Sequence, residues 1–509
     1  MKGFMELLTE INGKVNDFVW VQVGLILLIG TGLLTTIVTK VFQISHLKHW
    51  WKKTIVSVFK KDAQKKAKGS VSQFQALCTA LAATIGTGNI AGVAAAIVIG
   101  GPGAVFWMWI MAFLGMMTNF SENVLGIYYR RRNKDGEWSG GPMYYLQDGL
   151  GRLKGCKIVG KILAVLFAIC AILASFGIGN MGQINKIVIN VESAFFKNVE
   201  APTVVGEASL IALIIGLVLM VVAALIIIGG LQRIAAVAER VVPFMAIAYV
   251  VGCLVIFFVN INQVGAIFAS IFKFAFGVKA VGGAAAGIMI KTVIVQGCKR
   301  GAFSNEAGLG SSVMVHCNSN VKEPVKQGMW GIFEVFADTM VVCTMTAVVV
   351  LSSGAIDLNT GLAVAGTNDA TLVAQAFGKV FGMPGEWFIA VAMLLFAFTT
   401  VLGWSHYGSK AVEYLFGLKV VKFYKVFFVL LVVSGALMSS SIAWDISDTF
   451  NGMMMIPNLI GVVVLFPVLI KIVRNYVDRK IKGKVVTPVL SYDETIQKEM
   501  EEAVNNGEE

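Results

Sequence analysis

Long apolar blocks alternate with short polar segments along the whole chain. Eleven blocks stand out, at about 18–42, 72–99, 103–129, 157–180, 208–229, 233–259, 282–316, 325–352, 386–407, 423–442 and 450–473. About 20 apolar residues suffice for a helix to span a bilayer. The pattern therefore predicts an all-α polytopic membrane protein with eleven transmembrane helices. Two of the blocks are interrupted. Ser72 to Ile99 carries Gly86-Thr87-Gly88-Asn89-Ile90-Ala91-Gly92 at its centre. Each glycine costs a helix roughly 1 kcal/mol relative to alanine. Backbone groups freed inside lipid cost several kcal/mol more unless protein or water meets them. Two readings follow. An unwound turn offers carbonyls to a cation from the first half-helix and N–H groups to an anion at the start of the second. Alternatively, Gly88 and Gly92 form a G-x-x-x-G contact that packs helices closely. The segment is no dinucleotide loop, since no strand precedes it.

The second interruption is Lys299-Arg-Gly-Ala-Phe-Ser-Asn-Glu-Ala-Gly-Leu-Gly-Ser311. The run before it, Gly282 to Gly297, is short for a complete crossing, which favours a half-helix. The alternative is a cytoplasmic helix end with ordinary flanking charges. Asn89-Ile-Ala-Gly92 echoes Asn305-Glu-Ala-Gly308 as N-x-A-G. Each break opens a block of five spans, and an odd block length inverts the second block in the membrane. Matched broken helices in inverted halves point to a midplane transport site. The expected organisation is an extra helix with a basic loop (1–70), two five-helix repeats (71–260 and 261–475) and a tail (476–509).

Charge orients this arrangement. Residues 40–68 hold nine lysines against Asp62. Arg130, Arg131, Arg132, Lys134, Arg152, Lys154 and Lys157 follow span three, Lys410, Lys419, Lys422 and Lys425 follow span nine, and Lys471 to Lys482 follow span eleven. Glu192, Glu200 and Glu207, then Asp357, Asp369 and Glu386, mark the opposite side. The excess of Lys and Arg places the C-terminus in the cytoplasm and the N-terminus outside. The acidic end, EMEEAVNNGEE, reads as a disordered tail.

With 57% hydrophobic and 14% charged residues, the composition excludes a soluble enzyme. The net charge of +12 lies mainly between spans, so it points to anionic lipid rather than nucleic acid. Seven scattered cysteines without a C-x-x-C pair read as buried free thiols. The four histidines show no metal-ligand spacing, and His46 and His49 read as interfacial loop residues.

At the first break, the Thr87 hydroxyl and the N–H groups of Gly88 and Asn89 suit a carboxylate. Carbonyls from Ala82 to Ile85 suit a sodium ion, which takes about five or six oxygens by the logic of hard cations. Thr399 and Thr400 either add hydroxyls or bond back to carbonyls one turn earlier. Phe176-Gly-Ile-Gly-Asn180-Met-Gly-Gln183 closes span four. Asn180 and Gln183 share a face there, either for a zwitterion or as the polar end of the span. Trp404 is either a cavity wall or a member of the interfacial belt. Asp338 needs a partner inside the membrane, with Lys299 and Arg300 as candidates. Lys291 has no assigned role.

Several of these stretches carry a resemblance. Gly100-Gly-Pro-Gly-Ala-Val-Phe-Trp-Met-Trp-Ile-Met-Ala-Phe-Leu-Gly115 resembles the signature of the alanine/glycine:cation symporters, also called sodium:alanine symporters. ALAATIGTGNIAGVA, GGPMYYL, FGIGNMGQ, KRGAFSNEAGLGS, FTTVLGWSHYG and NGMMMIPNLIG resemble further blocks of that family, over about residues 15–475. The resemblance implies a LeuT-type fold of two inverted five-helix repeats plus one extra N-terminal helix. It implies uptake of alanine and glycine with sodium across the plasma membrane. It suggests Thr87, Gly88, Asn89, Gln183, Phe303 and Trp404 around the substrate, and Thr84, Thr399 and Thr400 around sodium. It turns Trp404 into a pocket wall and the two threonines into ligands. The chain departs from the family before Lys299, where Gln296 stands near an expected tryptophan.

Sodium-coupled symport by alternating access is thus the leading expectation, with a monomer bound to substrate and lipid. The same fold coupled to protons through Glu306 or Asp338 is the alternative. An enzyme is not expected, because the chain has no H-E-x-x-H and no Ser/His/Asp set. A channel lacks any recognisable filter. Substrate rank among alanine, glycine, serine and D-isomers depends on pocket volume, which residue identity does not give.

Overall fold

The computed structural model describes residues 2–59, 70–206, 208–276, 290–364, 371–438 and 441–506. Part of the basic loop (60–69), Glu207, Asp369, the start of the seventh predicted span (282–289) and two residues of the tenth (439–440) lie outside them. Helices dominate, and the strands are short hairpins such as β1 (Arg131–Arg132) with β2 (Trp138–Ser139). Among the described residues, seven helices are long and apolar enough to cross a membrane. They are α1 (Thr9–Val38), α4 (Gly103–Tyr128), α5 (Lys157–Phe195), α6 (Leu210–Ile227), α7 (Gly230–Val259), α10 (Pro324–Ser352) and α12 (Met383–Phe416). Two bent pairs raise the number to nine: α2 (Gln73–Thr84) with α3 (Gly88–Gly100), and the segments flanking Leu465. Those segments are α14 (Ser441–Val464) and α15 (Phe466–Ile481). Further helices are α8 (Ile261–Phe276), α9 (Ile290–Asn305), α11 (Leu372–Phe381), α13 (Leu418–Ala436) and α16 (Glu494–Asn505), besides shorter ones such as Leu47–Lys53 and Val313–His316.

Local chemistry sets several boundaries. Ser72 and Gln75 form a reciprocal capping box that starts α2. Gly417, at φ +81°, separates α12 from α13 in a conformation that favours glycine. α4 is buried along most of its length, and glycines let its neighbours approach. A Cβ at Gly331 of α10 would collide with Asn119 Oδ1. α12 meets α2 in the same way, because a Cβ at Gly403 would lie 2.6 Å from that of Ala83. Thr400, Gly403 and Trp404 therefore share the face of α12 that touches the first break. On the outside, α6 and α7 expose Val218, Leu225, Phe244 and Phe258, an apolar surface that suits lipid.

The structure corrects three expectations. The fourth span does not close at Phe176–Gln183. It passes through a π-helical turn, Gly177–Met181, and continues to Phe195. The extra residue of a π turn lets the helix absorb two glycines without ending. The last span is bent by 61° at Leu465 rather than straight. The tail is ordered through most of α16. Asp493 caps the N–H groups of Thr495 and Ile496, while Ile496 and Met500 pack with Leu490 on Trp138. Acidic residues on the outer face and apolar ones at helical spacing make α16 amphipathic, so its composition masked a docking face.

Ion pairs hold several of the basic segments. Arg479 donates to both carboxylate oxygens of Glu323, at 2.7 and 2.9 Å, and the Glu323 side chain is 2% exposed. Arg479→Ala strands that buried carboxylate. The expected outcome is a loss of ~3 kcal/mol, read as a lower thermal unfolding midpoint of the detergent-purified protein. All seven cysteines are free thiols.

Candidate functional site

The first break begins where α2 ends. Ile85 leaves the helical region at ψ 88°, and the chain resumes at Gly88 bent by 53°. Side chains satisfy the freed N–H groups. Gly86 N donates to Asn89 Oδ1 at 2.9 Å, and Thr87 N donates to Gln183 Oε1 at 3.3 Å. The Thr87 hydroxyl is buried without a hydrogen-bond partner among the described residues. Small size is required here. A Cβ on Gly86 would stand 2.5 Å from Thr400 Oγ1, and one on Gly88 would stand 3.3 Å from the Phe303 ring.

The second break follows α9. Glu306 adopts φ +54°, an uncommon backbone region for a glutamate. Its Oε1 accepts from Trp404 Nε1 at 2.9 Å, and its Oε2 accepts from Ser311 Oγ. Asn305 repeats the behaviour of Asn89. Its Oδ1 accepts from Ala307 N at 3.0 Å, and its Nδ2 donates to Thr339 Oγ1 at 3.0 Å. Asn89 Nδ2 donates to Asp338 Oδ1 at 2.6 Å. Both N-x-A-G asparagines thus cap a backbone N–H in their own break and anchor to adjacent positions of α10. Those positions lie in a second π-helical stretch, Phe336–Cys343.

Between the breaks lies one cavity. Of the nine residues expected at the site, Thr84, Gly88, Gln183, Phe303, Thr400 and Trp404 line it. Its volume, counted for water centres, is about 20 Å³, room for little more than a water. Thr87 reaches it only through the bond from its N–H to Gln183. Asn89 turns to Asp338. Thr399 bonds back to Leu395 O and Phe396 O and faces Met245 Sδ, off the cavity. Thr400 bonds to Phe396 O and also to Ala82 O of α2, at 3.0 and 3.1 Å. Trp404 is 3% exposed and forms a cavity wall, with Gly179 directly beneath it.

Other expectations fall differently. Asn180 and Gln183 do not act as a pair, because Asn180 Nδ2 donates to Phe428 O on α13. Asn180 lies inside the π turn and Gln183 in the α-helix after it. Asp338 has neither Lys299 nor Arg300 as partner. Asn89, Ser304 and Thr339 donate to it, while Lys299 pairs with Asp448 at 2.7 Å. Lys291 is exposed on the first turn of α9. Ala83, Gly86, Ile178 and Asn451 also line the cavity. Asn451 opens the NGMMMIPNLIG block, which resembles the family but yields no site residue from the sequence alone. The walls combine hydroxyls, amides, an indole N–H, an aromatic ring and one carboxylate. Among the described residues, no group of three or more His, Cys, Asp or Glu could hold a metal.

Comparison with known proteins fits this geometry. The family model described as "Sodium:alanine symporter family" matches residues 5–489. The chain is 42% identical to the sodium/alanine symporter AgcS of Methanococcus maripaludis, over 92% of this chain and 96% of that one. It is 35% identical to the probable sodium/glutamine symporter GlnT of Bacillus subtilis, over 94% and 93% of the two chains. The crystal structure of MhsT in complex with L-phenylalanine superposes with TM-score 0.51 at 12% identity, covering 80% of this chain and 99% of that one. At that identity the likeness concerns the fold alone, which is of the LeuT type. These relatives are transporters rather than enzymes. Broken helices around a small cavity, a LeuT-type fold and a family match over nearly the whole chain lead to one assignment: the chain belongs to the sodium:alanine symporter family.

Proposed function

We propose that the protein imports alanine and glycine together with sodium, by alternating access across the plasma membrane. The observation that carries this reading is the meeting of both breaks at one small cavity. The first turn of α3 brings its positive end there through Gly88, which suits a substrate carboxylate. The unpartnered Thr87 hydroxyl lies beside that turn. Sodium sits on the other side of the break, between Thr84, the last carbonyls of α2 and Thr400. The Thr400 hydroxyl already touches Ala82 O, and a hydroxyl that donates its hydrogen keeps lone pairs for a cation. Thr399 takes no part in this arrangement.

In this reading α9 and α13 also cross the bilayer, which gives eleven spans: one N-terminal helix and two inverted sets of five. The basic segments then lie in the cytoplasm with the C-terminus. The protein works as a monomer. The test is uptake of labelled alanine, glycine and glutamine into proteoliposomes under inward sodium, inward proton or no gradient. Accumulation of alanine and glycine with sodium alone supports the reading. Accumulation with protons alone moves the coupling to Glu306 or Asp338.

Trp404 closes the cavity against Phe303 and Gln183, so side-chain volume sets the substrate range. Trp404→Ala is expected to admit larger amino acids, with leucine or phenylalanine competing against labelled alanine at least ten-fold better than in wild type. One methylene in an apolar pocket is worth ~1–3 kcal/mol, so a lost indole spans several such steps. An unchanged competition profile would remove Trp404 from the pocket.

A further inference from the structure

The symport reading leaves one lining group without a task. Glu306 is the only ionisable side chain among the residues that line the cavity, and it is 3% exposed. A carboxylate at this depth is costly unless something compensates it. Its carboxylate accepts hydrogen bonds from neutral donors, the Trp404 indole and the Ser311 hydroxyl. Together they occupy about half of the four acceptor positions a carboxylate offers. No lysine or arginine forms an ion pair with Glu306 among the described residues. The backbone beneath it sits at φ +54°, a conformation that costs energy and clusters at ligand sites.

The opposite wall carries the opposite polarity. Gly88 begins α3, whose N-terminal end faces the cavity. One small space thus has a positive pole on the first break and a negative pole on the second. We propose that Glu306 is the counter-ion for the substrate's α-ammonium group, so that the cavity reads the zwitterion as a dipole. Trp404 and Ser311 are positioning residues that aim the carboxylate. This inference rests on the symport reading and adds the group that enforces its selectivity: through Glu306, α-amino acids are taken and their hydroxy-acid counterparts are rejected whatever the side chain. A buried site built for a polar group discriminates strongly against the analogue that lacks it.

The test compares L-alanine with L-lactate, which replaces the ammonium by a hydroxyl. Binding to the purified full-length protein in sodium buffer is read from ligand-induced thermal stabilisation. Wild type is expected to prefer alanine by at least 30-fold. Glu306→Gln keeps the size and removes the charge, and the preference is expected to fall to about three-fold or less. An alanine-to-lactate ratio as large as in wild type overturns the proposal, whatever the absolute affinities. A ten-fold rise in the sodium needed for half-maximal binding, with that ratio intact, also overturns it and moves Glu306 to the cation. Should Glu306→Gln fail to give a monodisperse protein, Ser311→Ala removes only one aiming hydroxyl. It is expected to narrow the ratio by three-fold or more, and no narrowing counts against the proposal. A wild type that binds none of alanine, glycine and glutamine refutes the symport reading itself, an outcome distinct from a failure of Glu306.

Discussion

Gly86→Ala is expected to lower sodium-driven alanine uptake more than 100-fold in a protein that still folds. The added Cβ would lie 2.5 Å from Thr400 Oγ1 and 3.3 Å from Gln183 Oε1. The first distance is well inside contact, so the hydroxyl must leave. Thr400 would then lose its bond to Ala82 O, the contact that ties α12 to the end of α2. Gln183 would be pushed from Thr87 N. Both groups line the cavity, so the damage falls on the binding geometry. Gly86 is not among the glycines held at positive φ, so alanine can adopt its backbone conformation and the chain has no reason to unfold. The check is the initial uptake rate in proteoliposomes beside the thermal midpoint of the same preparation. Wild-type uptake would show that the approach of Thr400 to the break is not needed.

Asn89→Ala has a comparable effect by a different route. Asn89 does not line the cavity. Its amide holds two things together: the N–H of Gly86 in the break and the carboxylate of Asp338 on α10. Removing it orphans a buried N–H and takes one of three donors from a buried carboxylate. Each unsatisfied buried group costs ~1–3 kcal/mol. The expected result is a lower thermal midpoint together with uptake below about one hundredth of wild type. Asn89→Ala differs from Gly86→Ala in this loss of stability, and the pair of midpoints separates a positioning role from a lining role. A variant with wild-type uptake and an unchanged midpoint would contradict both bonds.

How far the residues alone revealed this arrangement depends on the kind of signal. The first break was legible because three glycines interrupt an apolar run, a pattern with a large helix cost. The N-x-A-G echo was also legible, and the structure gives it meaning. Both asparagines cap a backbone N–H and reach positions 338 and 339. What could not be read is which way a side chain turns. Thr399 and Thr400 are neighbours of the same type, yet only Thr400 faces the break, because Gly403 brings α2 close on that face. The continuation of α5 past Gly177 was hidden for a related reason. Glycine-rich segments usually end helices, and a π turn carries the same composition without a stop. Glu306 drew attention as a titratable group, but its place on the cavity wall depends on the left-handed turn after α9. The tail misled because net charge hid the apolar face of α16 that rests on Trp138.

Coupling of the two fluxes is the central claim, and labelled sodium measures it directly. Proteoliposomes containing the protein would be given external sodium tracer, with and without alanine, at zero membrane potential. The account predicts that alanine accelerates sodium entry at a fixed ratio to alanine entry, and that Gly86→Ala abolishes both together. Alanine entry that leaves the sodium flux unchanged would contradict it.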